Sequence, residues 1–243
     1  MAEIENLSRV RIVLSCPSHP GNVGAAARAI KTMGLARLYL VRPENFPHAD
    51  ARAMASGADD TLRDAIVCDS LDDALAGTVL AVAATARNRD LSHEVVSCRE
   101  ACSRLVKDAG LGDVALVFGT ERTGLTIAEV NKCSLIATIP ASSVYASLNL
   151  AQAVQVFAYE LRMAAATDDG ITPDSVANLA THDEVEHFYR HLERVLHETG
   201  FLDPAQPGRL MQRMRRLFAR ARLEKEELNI LRGILSAMEG KRQ

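Results

Sequence analysis

A chain of 243 residues with 48% hydrophobic and 24% charged residues holds enough apolar material for a sizeable core, which excludes global disorder. The formal net charge of −3 excludes an overall field drawing the protein onto nucleic acid, so any such affinity must come from local clusters of arginine. Five cysteines (Cys16, Cys68, Cys98, Cys102, Cys133) are odd in number and scattered without a CxxC pair, which argues against zinc or a disulfide framework and for reduced thiols in a cytoplasm.

The first ten residues, MAEIENLSRV, lack the charged-then-apolar pattern of a signal peptide, and no apolar run approaches the length of a membrane span. Val10 to Leu14 reads as the first strand, followed by the proline-rich loop SCPSHPG. From Asn22 the pattern turns helical through Ala25, Ala26, Ala27, Ala29 and Ile30, with Gly34 as its stop. Leu38 to Val41 reads as a second strand ended by Pro43, and residues 49–58 as an alanine-rich helix closing at Gly57. Ile66 to Cys68 and Val79 to Ala84 read as short strands around a helix at Leu71 to Ala76, with Thr85-Ala86-Arg87-Asn88-Arg89 as a loop at the carboxyl end of the second. A helix over 97–109 follows. Strands alternating with helices at this rhythm predict a parallel sheet covered on both faces.

Residues 115–160 hold the densest signal. Ala115 to Phe118 is a short apolar run of buried-strand type, and Gly119-Thr120-Glu121 breaks it, with Gly124 close behind. A second strand, Leu135 to Ile139, stops at Pro140. After another small polar loop, Ser147 is placed to cap a helix starting near Leu148, with Leu150, Val154, Phe157 and Leu161 on its core face. Both loops lie at the carboxyl ends of strands, where open α/β sheets bind ligands.

The composition changes near Thr167. ATDDGITPDS (166–175) is polar and reads as a linker, and no convincing strand follows. Helices are predicted at Asp183 to Thr199, Pro207 to Arg222 and Glu224 to Met238. Gly208 to Arg222 carries six arginines and no acid; Arg209, Arg213, Arg216 and Arg220 share one helical face, and Leu210, Met214, Leu217 and Ala221 another. A solvated bundle face is the plain reading; six arginines exceed what solubility needs, so phosphate binding is favoured.

GNVGAAARA (Gly21 to Ala29), FGTERTGL (Phe118 to Leu125) and SLNLAQA (Ser147 to Ala153) resemble, in that order, motifs 1, 2 and 3 of the SPOUT methyltransferases. The resemblance spans about two thirds of the chain. It implies an α/β fold with a C-terminal trefoil knot in a parallel sheet, a feature that general rules of chain topology argue against. It further implies S-adenosylmethionine as methyl donor, an obligate homodimer, no metal, and 2′-O-methylation of ribose in tRNA, closest to members acting on cytidine or uridine at anticodon-loop nucleotide 32. The helical tail, which such proteins use for tRNA binding, gives a division into a methyltransferase domain at 1–165, a linker at 166–177 and a small all-α extension at 178–243. Another tRNA position, ribosomal RNA, or a non-catalytic RNA-binding role on the same fold are the alternatives.

By resemblance, Arg28 takes the proton from the ribose hydroxyl. An arginine pKa above about 12 makes that demanding, and stabilisation of the developing alkoxide or of a phosphate is the other role. Asn22 either orients Arg28 or caps its helix. The donor would lie among Ala84, Thr85, Ala86, Gly119, Glu121, Ile139, Ser147, Leu148 and Asn149, read by main-chain groups and apolar contacts; Ser147 also stands beside Asn22 and Arg28 as a residue that touches substrate. Two decoys are set aside. His187 and His191 have i, i+4 spacing but no HExxH glutamate, and Ser143 or Ser147 with His19 lacks a GxSxG elbow. The apolar helix 148–163 is the candidate dimer face.

Overall fold

The computed structural model describes residues 5–86, 93–142, 144–167, 178–203 and 209–240. Arg87, Asn88 and Arg89, Ser143, most of the expected linker, and Pro207 and Gly208 lie outside the described residues.

After a short 3-10 helix at Glu5–Arg9 come β1 (Val10–Ser15), α1 (Pro20–Thr32), β2 (Arg37–Val41), α2 (Ala49–Ala55), α3 (Asp59–Arg63), β3 (Ile66–Cys68), α4 (Leu71–Leu75) and β4 (Thr78–Ala84). It continues through β5 (Val95–Ser97), α5 (Cys98–Ala109), β6 (Asp113–Phe118), α6 (Ile127–Val130), β7 (Leu135–Thr138) and α7 (Leu150–Thr167). Three helices close it: α8 (His182–Glu198), α9 (Leu210–Ala221) and α10 (Lys225–Gly240).

The seven strands form one sheet in the order β3-β2-β1-β6-β4-β7-β5, and every pairing is parallel. Successive side chains of a strand point to opposite faces, and the apolar residues divide accordingly. Ile12, Leu14, Leu116 and Phe118 pack beneath α1, α5 and α7. Val13, Ala115 and Val117 pack on the other face with Leu75, Val130 and Cys133. Runs such as Val114 to Phe118 are therefore continuously hydrophobic, because both faces are covered.

Gly24 lets α1 and α2 pack closely. A Cβ there would stand 1.9 Å from the Ala51 carbonyl oxygen, so α1 and α2 can approach only because position 24 has no side chain.

Several short elements were not legible in the sequence, among them α3, β5 and α6. β5 is a three-residue edge strand in which only Val96 is buried, too short to show a period. α6 is one helical turn announced by a capping box, Thr126 with Glu129. β7 lies between β4 and β5, so the chain returns to occupy a slot between two strands that precede it.

The start of α7 also differs from expectation. Neither Ser147 nor Leu148 opens the helix. Its first residue is Leu150, and Asn149 is the cap, its Oδ1 accepting from the backbone N–H of Ala151 at 2.9 Å and of Gln152 at 3.4 Å. Asparagine with its shorter reach to N2 and N3 wins over the serine two residues earlier. The expected core face is otherwise buried: Leu150, Val154, Phe157 and Leu161.

The C-terminal helices have their own core of Phe188, Tyr189, Leu192, Val195, Leu228 and Leu235. On α9 the apolar face consists of Met211, Met214 and Phe218; Leu217 is 46% exposed and Ala221 is exposed as well. The expected apolar face is therefore rotated. Arg215 points inward, donating to both Glu186 oxygens and stacking 4.3 Å over the Tyr189 ring. Arg209, Arg213, Arg216 and Arg220 are exposed.

Candidate methyl-donor site

The carboxyl ends of β4, β6 and β7 open onto a cavity of about 340 Å³. Parallel strands end together there, and each hands over to a loop. Ala84, Thr85 and Ala86 supply one wall, Gly119, Thr120 and Glu121 a second, and Ile139 with Ala146, Ser147 and Leu148 a third. Phe118, Leu150 and Phe157 form an apolar floor, with the two phenyl rings edge to face at 5.5 Å.

Gly119 is required by geometry. An added Cβ would lie 2.1 Å from the Leu125 amide nitrogen and 2.2 Å from the Gly124 carbonyl carbon, both main-chain atoms. The loop doubles back on itself at this point: the Gly124 N–H donates to the Thr120 carbonyl at 2.9 Å, and Gly124 has φ +67°. A tight turn without side chains at its neck leaves main-chain groups facing the cavity.

Glu121 ties this loop to the segment before α1. One carboxylate oxygen accepts from the Ser18 backbone N–H at 3.1 Å and hydroxyl at 2.9 Å; the other accepts from the His19 N–H at 3.2 Å and Asn22 Nδ2 at 2.9 Å. Burial alone would raise its pKa, yet the hydrogen bonds from Asn22 and Ser18 outweigh that and hold the carboxyl down at about 2. Asn22 in turn accepts through Oδ1 from Asn149 Nδ2 at 2.9 Å. Glu121, Asn22 and Asn149 thus form one relay joining all three motif segments. A second tie, from the Ser15 hydroxyl to Glu129, fixes the far end of the Gly119–Thr126 loop to β1.

The expected residues divide as follows. Ala84, Thr85, Ala86, Gly119, Glu121, Ile139, Ser147 and Leu148 line the cavity. Asn22 and Asn149 stand behind it and line a shallow open groove between α1 and α7, together with Gly21, Ala25, Ala29 and Gln155. Arg28 is exposed on α1 and does not line the cavity of its own chain. Ser18 and His19 were missed by sequence reasoning, because two of their three bonds to Glu121 come from backbone N–H groups that any residue carries. Of the decoys, His191 pairs with Glu239 at 3.2 Å. Among the described residues there is no cluster of three or more metal-ligating side chains.

Residues 9–159 match the model of the SpoU rRNA methylase family. The chain belongs to the SpoU methyltransferase family. Residues 183–243 match a second model, the C-terminal domain of the tRNA methyltransferase TrmJ, so the SpoU match and the tail match together take in most of the chain. The tRNA (cytidine/uridine-2'-O-)-methyltransferase TrmJ of Photorhabdus laumondii is 49% identical over 235 residues, covering 96% of this chain and 98% of that protein. The crystal structure of TrmJ from Z. mobilis superposes with a TM-score of 0.83 at 32% identity, covering 94% of this chain and 98% of that one. A structure described through the 2-OH methylation of cytidine or uridine 34 on tRNA is 28% identical with a TM-score of 0.52, covering 64% of this chain and 95% of that one. Fold and family agree: this SpoU-family chain is a methyltransferase with the SPOUT parallel sheet and a helical tail.

Proposed function

We propose that this chain transfers the methyl group of S-adenosylmethionine to the ribose 2′-oxygen of cytidine or uridine at tRNA nucleotide 32, in the cytoplasm. The convergence of three distant segments on one cavity carries this reading, together with the name borne by the Photorhabdus relative. The family members described as AdoMet-bound share the fold, and the cavity suits such a donor. It has an apolar floor for a neutral flat base, main-chain groups around Gly119, and no side chain at the neck of the turn. The donor supplies a methyl on a sulfonium, a good leaving group that needs neither metal nor acid.

Catalysis by the protein is then placement plus management of one proton. Leu150 and Phe157 exclude water from the floor, Ser147 at the rim meets the ribose, and the Glu121–Asn22–Asn149 relay keeps the walls in register. As the 2′-oxygen takes the methyl, the methyl–sulfur bond breaks and the hydroxyl proton passes to bulk water, while a guanidinium beside the oxygen stabilises its developing charge. Because Arg28 lies outside its own cavity, we assign the task to Arg28 of a second subunit. The α1–α7 groove, with Gly21, Ala25, Ala29 and Ala151, is the surface on which a two-fold partner would pack. Residues 1–165 form the catalytic unit, 166–177 the linker, and 178–243 the tRNA-binding extension, with Arg209, Arg213, Arg216 and Arg220 on phosphates.

Mass spectrometry of tRNA from cells with and without the gene tests the reading: 2′-O-methylpyrimidine at nucleotide 32 should vanish without it, and persistence of that mark refutes it. The relative acting on nucleotide 34 favours a second reading, in which the lost mark maps to that position instead. An Arg28→Ala variant should bind donor normally and methylate far more slowly; full activity would remove Arg28 from the mechanism.

A further inference from the structure

Asp108 lies in the last turn of α5, in the methyltransferase domain, and is 2% exposed. Its Oδ2 accepts from Arg222 Nη2 at 2.6 Å, 114 residues further on. Arg222 is the residue that ends α9, and its backbone is left-handed with φ 52°. That position suits glycine, which adopts the conformation without steric cost. An arginine held there in a strained backbone is explained by its side chain.

The pair is also a poor device for stability alone. Taking a carboxylate out of water costs about as much as the ion pair returns, and an apolar pair of similar volume would hold the helices at least as well. A charged pair does add direction: it fixes where the end of the helix stands. The other ties between tail and sheet, Asp183 to the Gly77 N–H at 2.8 Å and His182 to Asp72 at 3.2 Å, fasten α8. Arg215 then fastens α9 to α8 through Glu186. Arg222 is the ion pair that joins the arginine-bearing helix directly to the catalytic domain among the described residues.

We propose that Asp108 is a positioning residue for tRNA: by holding Arg222 it sets the direction in which Arg213, Arg216 and Arg220 face relative to the donor cavity. It touches neither substrate. The inference rests on the tRNA reading above and names the device that makes the tail serve that site.

The test uses the full chain with Arg222→Gly, which removes the side chain while easing the backbone, beside Asp108→Asn and Arg222→Lys. Methyl transfer to whole tRNA, donor titration and the salt dependence of tRNA binding are measured for each. Arg222→Gly should lower the melting temperature, because it leaves the buried Asp108 carboxylate without its partner, yet keep kcat and donor affinity. Its KM for tRNA should rise on the order of tenfold, and the slope of log affinity against log salt should shallow by up to about 3 as three phosphate contacts loosen. Arg222→Lys should restore most of the KM. A KM and salt slope equal to those of the unaltered protein would overturn the proposal, and so would a parallel fall in kcat and donor affinity, which marks a general structural role. The binding slope separates this inference from the functional reading. If the unaltered protein methylates no tRNA, the functional reading fails, while a slope that responds to Arg222→Gly still supports positioning.

Discussion

Replacing Glu121 by glutamine tests the relay at its centre. Four donors converge on the two carboxylate oxygens, two on each. A glutamine has one oxygen and one NH2, so whichever way it turns, two donors meet a donor. A carboxyl held at about 2 instead of 4.5 represents at most about 3 kcal/mol, at 1.36 kcal/mol per pH unit. Partial exposure of the site screens this, and about 2 kcal/mol at neutral pH is the working figure. For a chain of this size that is roughly 4–8 °C in melting temperature. The pH dependence gives the sharper test. A depressed carboxyl contributes its full stabilisation above the unfolded value of 4.5, and loses it as pH falls from 4.5 towards about 2. Urea unfolding of both proteins between about pH 7 and pH 3 should therefore show a gap that is constant above pH 5 and falls below half by pH 3. A gap that stays constant down to pH 3, or no gap at pH 7, would show that Glu121 is not held as an ionised hub.

Gly119→Ala should destabilise by roughly 1–3 kcal/mol, because the new methyl meets main-chain atoms that cannot rotate away, and calorimetric titration should show donor binding lost. Asn149→Ala should lower the melting temperature by the equivalent of about 1 kcal/mol through loss of the α7 cap, whereas Ser147→Ala should leave it unchanged. Replacing Arg213, Arg216 and Arg220 together by alanine should weaken tRNA binding and reduce its salt slope by about 3, with donor affinity unaltered in the same preparation.

What the sequence disclosed follows from range. Strands such as Val10–Ser15 and Asp113–Phe118 and the buried face of α7 are written locally, in runs and periods that tertiary packing leaves intact. The three motif loops were also visible, because glycine and small polar residues after a strand mark a turn wherever they occur. Their wiring was not. That Asn22 bridges Glu121 and Asn149 depends on where β1, β6 and β7 lie relative to one another, and no local pattern carries that. Cap chemistry suits Ser147 and Asn149 about equally in the sequence, and only the path of the chain into α7 selects Asn149. On α9 the error had another source: a long side chain can bury its stem and stack its head. Arg215 therefore turned inward onto Tyr189, where polarity alone would send it to water.

The same wiring constrains the order in which the site can form. Glu121 joins Asn22 across 99 residues, and Asn22 joins Asn149 across 127. The first bond cannot close until β1 and β6 are paired, nor the second until β7 has reached its slot between β4 and β5. Contacts this remote in sequence carry the loop-closure cost before they return any stabilisation, so they form late. The cavity walls are joined by polar contacts, where apolar packing fixes the strands beneath. A pocket closed in this way is rigid when the relay is intact and loosens as a unit when one member is removed. That is why Glu121, which lines the cavity, and Asn149, which stands behind it, should both register in donor affinity as well as in stability.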